Sequence, residues 1–285
     1  MSIAKKISIK YIRARFRVLS ALSKPKAAEK AFELFCTPQY RNKKSLTGIF
    51  QKAEKLNFDF EGNLIKGYRF NHPSRAKILI THGFESTVLN FDKYVQPLIN
   101  KGYEVLAFDA PAHGHSSGKR INVLMYKNML QYINRHFGPF HGYMGHSLGG
   151  LALSLFLEET EHDSSTQLVL IAPATETTTA IDNYFKFLQL DEGVRKEFDQ
   201  LVTMKANKKP EWISISHAAK NIKARVLFLQ DKEDELTPYS DVVPIIQKNY
   251  PNIKFIISKG LGHSQIYRDG HNLKTIVDFF DDQPQ

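Results

Sequence analysis

Two hydrophobic rhythms divide the chain. From Lys77 onward, short runs that are almost wholly apolar recur between longer stretches whose apolar residues fall every three or four positions. The short runs Lys77–Thr81, Tyr103–Phe108, Gly142–Gly145, Gln167–Ile171, Arg225–Leu229 and Lys254–Ser258 predict strands. The stretches 91–100, 122–136, 148–159, 239–249 and 271–280 predict helices. Strands this apolar, separated by helices, imply an α/β fold with a mostly parallel central sheet flanked by helices on both faces. Upstream the rhythm changes. Leu56–Phe60 and Leu64–Phe70 alternate around Glu61-Gly62-Asn63, which predicts an antiparallel hairpin. Ala27–Phe35 has helical spacing and stops before Pro38.

One interval breaks the pattern. About fifty residues separate the run ending near Ala172 from the one starting at Arg225, too many for a single crossover. Tyr184, Phe185, Phe187, Leu188, Leu190, Phe198, Leu201, Met204 and Trp212 fall there at helix-like spacing, predicting a small helical cap after the sixth strand. The expected organisation is a basic helical segment over 1–55, an α/β core over 56–173 and 221–285, and the cap over 174–220.

Charge separates the first segment from the rest. The formal net charge is +10, yet residues 1–55 hold 14 Lys and Arg against Glu29, Glu33 and Glu54, and the remainder is close to neutral. Lys5, Lys6, Lys10, Arg13, Arg15 and Arg17 interleave with Ile3, Ile7, Tyr11, Ile12, Phe16, Val18 and Leu19. Residues 1–24 read either as a basic amphipathic helix on an anionic membrane surface or as a helix packed on the body with a solvated basic face. The segment has no continuous apolar stretch of the kind a secretory signal needs and no nucleic-acid-binding motif, so nucleic acid is not an expected partner. Apolar runs fall short of the ~20 residues that span a bilayer. Cys36 is the only cysteine, which excludes an internal disulfide and fits a reducing compartment. The expected location is cytoplasmic, peripheral at the membrane under the first reading of the helix.

The chemistry centres on Gly145-His146-Ser147-Leu148-Gly149-Gly150, set between an apolar strand and an apolar helix. A serine at such a turn is forced into a strained backbone, and only small residues two positions either side of it avoid a clash. A serine nucleophile needs a base and a group to orient that base. The carboxyl ends of the later strands offer both. Leu227–Leu229 runs into Gln230-Asp231-Lys232-Glu233-Asp234-Glu235-Leu236-Thr237-Pro238, and Gly260-Leu261-Gly262-His263-Ser264 follows the last strand.

The serine, acid, histidine order, the Gly-x-Ser-x-Gly turn and the strand-helix rhythm together resemble the α/β-hydrolase superfamily, in its serine esterase and lysophospholipase-like branch, over residues 60–280. The resemblance implies Ser147 as nucleophile, His263 as base and Asp234 as orienting acid. Asp231 stands where the family more often has Gly, and Asp231, Glu233 and Glu235 are rival carboxylates. Ile80-Thr81-His82-Gly83-Phe84 resembles the family's His-Gly turn, which implies an oxyanion hole from the Phe84 and Leu148 N–H groups. His82, Gly83, His146, Phe185 and Trp212 are the candidate substrate contacts. Asp109 in Asp109-Ala110-Pro111-Ala112-His113-Gly114-His115 is expected to tie down its loop. His113 and His115 have the alternation of a metal pair, but the resemblance implies no metal and no cofactor. The expected substrate is a small-molecule carboxylic ester with an apolar acyl group, including lysophospholipids. Thioester or C–C bond hydrolysis, or a non-catalytic binding module, are the other readings.

Overall fold

The computed structural model describes residues 3–46, 48–74 and 76–282, with side chains from Ile9 onward. The side chains of Ile3, Lys5, Lys6 and Ile7 lie outside the described residues. Eight strands form one sheet: β1 (Glu54–Phe60), β2 (Asn63–Phe70), β3 (Lys77–Thr81), β4 (Glu104–Phe108), β5 (Gly142–His146), β6 (Gln167–Ile171), β7 (Arg225–Asp231) and β8 (Ile253–Ser258). Their order is β1-β2-β4-β3-β5-β6-β7-β8. The pairs β1–β2 and β2–β4 are antiparallel and every other pair is parallel. The helices are α1 (Ile3–Leu22), α2 (Lys24–Phe35), α3 (Asp92–Asn100), α4 (Val123–Phe137), α5 (Leu148–Glu158), α6 (Thr177–Leu188), α7 (Glu192–Ala206), α8 (Ile215–Ala218), α9 (Tyr239–Lys248), α10 (Gly262–Gln265) and α11 (Gly270–Asp281).

The predicted strands and helices are present with shifted ends. Tyr103 falls outside β4 because its N–H returns to Leu98 O and closes α3. Strand β7 runs on to Asp231, which pairs with Ser258. All five residues of β4, β5 and β6 are buried, as a sheet covered on both faces requires. Alternate side chains of β6 enter opposite cores: Leu168 and Leu170 join the apolar cluster that includes α4 and α5, and Val169 and Ile171 join the one that includes α3 and α11.

The chain turns left from β3 to β4 and then right to β5, so strand order reverses around β3. A crevice opens at such a switch point, beyond the carboxyl ends of the strands. The loop after β3 and the turn after β5 meet there.

The segment between β6 and β7, where a cap is expected, forms α6, α7 and α8, and it does not stand alone. Helices α1 and α2 pack on it, so that Phe16, Ala27, Ala28 and Ala31 belong to one apolar cluster with Ile181, Phe185 and Phe198. Polar ties reinforce the contact. The Arg13 guanidinium donates to Phe187 O at 3.0 Å, Tyr184 OH donates to Ala31 O at 2.8 Å, and Lys24 pairs with Asp191 at 2.7 Å. The three alanines let α2 approach α7 closely. The described part of the basic N-terminal segment is therefore joined to α6 and α7. No helix among the described residues is long and apolar enough to cross a membrane.

Candidate active site

Ser147 sits between β5 and α5 with φ +53° and ψ −124°. The surroundings hold this strained backbone from both sides. Its N–H donates to Ile171 O at 3.1 Å, and its carbonyl accepts from the Gly150, Leu151 and Ala174 amides. A Cβ at Gly145 would lie 2.8 Å from Gly150 Cα, and one at Gly149 would lie 2.6 Å from His82 O. Neither position has room for a side chain, which is the steric reason for both glycines.

The loop after β3 lies against the serine: a Cβ at Gly83 would fall 2.8 Å from Ser147 Cβ. His82 is fully buried beneath this loop. Ala110 N–H donates to His82 Nε2 at 3.0 Å, so the proton is on Nδ1, which donates to Gly83 O at 2.7 Å. Burial pushes the His82 pKa down to about 4 and keeps the ring neutral. Tyr126 OH braces the same turn, accepting from His82 N and donating to His82 O. Phe84 and Leu148 both face the crevice, and among the described residues neither backbone N–H meets a protein acceptor.

His263 Nδ1 is 2.8 Å from Asp234 Oδ2. Asp234 also accepts from Thr237 Oγ1 at 2.7 Å, Leu236 N at 2.9 Å and Thr237 N at 3.0 Å. Burial raises its pKa, but the His263 and Thr237 hydrogen bonds outweigh that and hold the carboxyl below the usual range. Asp231 serves the loop instead. It accepts from Ser258 Oγ at 2.7 Å, Glu233 N at 2.9 Å and Leu261 N at 3.0 Å, pinning the segment that leads to His263. Glu233 faces Lys259 at 3.7 Å. Of the rival carboxylates, Asp234 is the one that reaches the imidazole.

A cavity of about 1080 Å³ opens over Ser147. Its floor includes Ser147, Leu148 and His263, and its walls are mostly apolar, with Ile181, Leu188 and Val202 from the cap and Ile12 and Phe35 from α1 and α2. Ser147 Oγ and His263 both face it without a hydrogen bond between them, and such contacts commonly tighten only with substrate bound.

His146 also lines the cavity, but its ring is turned to His263, with centroids 4.6 Å apart. The other expected substrate contacts lie elsewhere. His82 is buried under the loop, and Gly83 backs the serine rather than the cavity. Phe185 is in the core of the cap against Phe198, because its neighbours Tyr184 and Phe187 take the positions facing the cavity. Trp212 is half exposed and stacks on His217. Asp109 does tie down its loop, accepting from Thr87 Oγ1, Val88 N and His115 N, although burial raises its pKa. His113 and His115 do not converge: Glu85 N donates to His113 Nε2, and His115 Nε2 meets Lys44 O. The cavity residues of α1 and α2 were not among the expected contacts, and their signal in the sequence is only the helical apolar spacing of those two segments.

The sequence model of a family described as serine aminopeptidase, S33 matches residues 72–224, more than half of the chain. That span includes the loop after β3 and the serine turn but ends before Asp234 and His263. YqkD, an uncharacterized protein of Bacillus subtilis, is 24% identical over 257 residues, 81% of each chain. The Pyrococcus furiosus esterase Pf2001 superposes with a TM-score of 0.64 at 20% identity, covering 86% of this chain and 95% of its own. The Paleococcus ferrophilus monoacylglycerol lipase does so with a TM-score of 0.58 at 21% identity, covering 76% and 98%. The shared fold is that of α/β hydrolases.

Proposed function

The chain belongs to the serine aminopeptidase, S33 family of α/β hydrolases, and from that premise we propose that it is a serine hydrolase acting on carboxylic esters of apolar acyl groups. The observation that carries the reading is the Asp234–His263 hydrogen bond beside Ser147, beneath a mostly apolar cavity. Ser147 Oγ attacks the ester carbonyl while His263 Nε2 takes its proton. Asp234, bonded to Nδ1, fixes the tautomer and stabilises the imidazolium. Negative charge that develops on the carbonyl oxygen is met by the Phe84 and Leu148 N–H groups. His263 then protonates the leaving alcohol, and the acyl group stays on Ser147 until water, deprotonated by His263, releases it as the acid.

The cavity wall favours an acyl chain over a peptide. Its lining is mostly apolar, which suits a hydrocarbon chain better than a polar peptide backbone. Hydrolysis of p-nitrophenyl esters across acyl chain lengths tests the reading, with Ser147→Ala as control. Turnover that disappears in the variant supports a serine esterase. Failure of the wild type to turn over any ester or to react with a fluorophosphonate probe sinks it.

A further inference from the structure

Helix α1 uses only one of its faces inside the protein. Ile12, Phe16 and Leu19 pack toward the cap, and the Arg13 guanidinium lies 5.7 Å from the Phe187 ring centre. The outer face is exposed among the described residues. Tyr11, Val18 and Leu22 are 64%, 63% and 79% exposed, and their spacing of seven and four puts them in one stripe along the helix. Exposed Lys10, Arg15 and Arg17 flank that stripe, and no acidic residue precedes Glu29. A merely solvated face would not need the apolar stripe. Phe187, under Arg13, belongs to the rim of the cavity, where Phe84 and Leu236 are also exposed.

We propose that the outer face of α1 docks this protein on an anionic phospholipid bilayer, with the apolar rim of the adjoining cavity seated in the same surface. Cations attract the lipid phosphates, and the stripe of Tyr11, Val18 and Leu22 enters the boundary between headgroups and acyl chains. A nucleic acid would use the cations and leave the stripe without a role. A second copy of this face would be repelled by its own charge. A bilayer uses both features. Docking is independent of which bond the site cleaves, so it stands or falls apart from the esterase reading.

The experiment is co-sedimentation of the full chain with phosphatidylcholine vesicles, with and without phosphatidylglycerol. The wild type is compared with Lys10→Gln/Arg15→Gln/Arg17→Gln and with Val18→Ser/Leu22→Ser, thermal melting serving as the check on folding. The wild type is expected to bind the anionic vesicles and to release in high salt. At about 1 kcal/mol per basic residue near the surface, the triple variant loses roughly a hundredfold in partitioning. The double variant loses a smaller but measurable part, with melting unchanged in both. Absence of wild-type binding to anionic vesicles overturns the proposal, as does equal binding by well-folded variants. Binding to duplex DNA that the double variant retains in full, with no vesicle binding, overturns it in favour of a nucleic-acid surface.

Discussion

His146 Nε2 lies 3.0 Å from the backbone carbonyl of His263, a contact between residues 117 positions apart in the chain. A carbonyl only accepts, so Nε2 carries the proton and donates. Burial, together with the proximity of His263, pushes the His146 pKa down to about 3, which keeps the ring neutral at neutral pH, and the carbonyl selects the Nε2–H tautomer. The residue before the serine thus holds the segment that carries the base. His146→Ala removes both the hydrogen bond and the ring that His263 rests on. Misplacement of reacting groups by ~1 Å costs on the order of a hundredfold, so kcat should fall ten- to a hundredfold with KM little altered. His146→Gln, which can still donate, should recover part of the loss. Steady-state kinetics on one ester checks both.

Asp231 and Asp234 separate under the same substitution. Asp234→Asn leaves the shape of the turn but disfavours the tautomer that the base needs, and the equivalent change in another triad costs about 10⁴ in kcat. Asp231→Asn weakens the anchoring of Ser258 and Leu261, so it should lower the melting temperature, a hydrogen bond to a charged group contributing ~1.5–3 kcal/mol to stability, and it should cost far less activity than Asp234→Asn because Asp231 does not meet the imidazole. Kinetics and melting measured on the two variants should show opposite rankings.

Asp191 caps α7 through the Gly193 and Val194 amides and also binds Lys24 and the Ser20 hydroxyl. Asp191→Ala should cost about 1 kcal/mol for the lost cap, and it should loosen α1 and α2 from the cap. Lys24 first, and Ser20 second, hold the carboxyl well below its usual range. A depressed folded pKa means the contribution is complete above the unfolded value near ~3.9 and is lost as the pH falls through the folded value. The gap in melting temperature between wild type and variant should therefore be constant from neutral to mildly acidic pH and close only in stronger acid.

Ala180 lies on the cavity wall, where a phenyl group would take up space meant for substrate. Ala180→Phe should reduce kcat/KM for long p-nitrophenyl esters by roughly tenfold or more, the scale of one or two methylene contacts in an apolar pocket. Acetate hydrolysis should be unchanged. An equal loss on all chain lengths would mean that the acyl group lies elsewhere.

Much of the fold was legible because its signals are local. A run such as Gln167–Ile171 is too short for a helix of its own and reads as a strand buried on both faces, and Gly145 and Gly149 announce the turn between them. Ser147 and His263 stand out for a related reason: each follows the carboxyl end of a strand, where the neighbouring residues leave a readable pattern, whereas Asp234 shares its stretch with three other carboxylates. The substrate contacts were harder. Phe185 and Phe187 are two apart on one helix, and nothing in their composition says which faces the cavity. The helix's rotation against α2 decides that.

The amino-acid order by itself therefore determined the strand-helix alternation, the serine turn and the candidates for acid and base, since these depend on hydrophobic period and on steric limits within a few residues. Tertiary structure alone decided that Asp234 rather than Asp231 meets His263, because Asp231 ends β7 and is taken up by Ser258 and Leu261 while Asp234, three residues on, faces the imidazole. It also decided that His82 braces the loop after β3 and that α1 and α2 complete the cavity. Those outcomes rest on contacts between distant segments, and the energy of such contacts exists only once the sheet has brought the segments together.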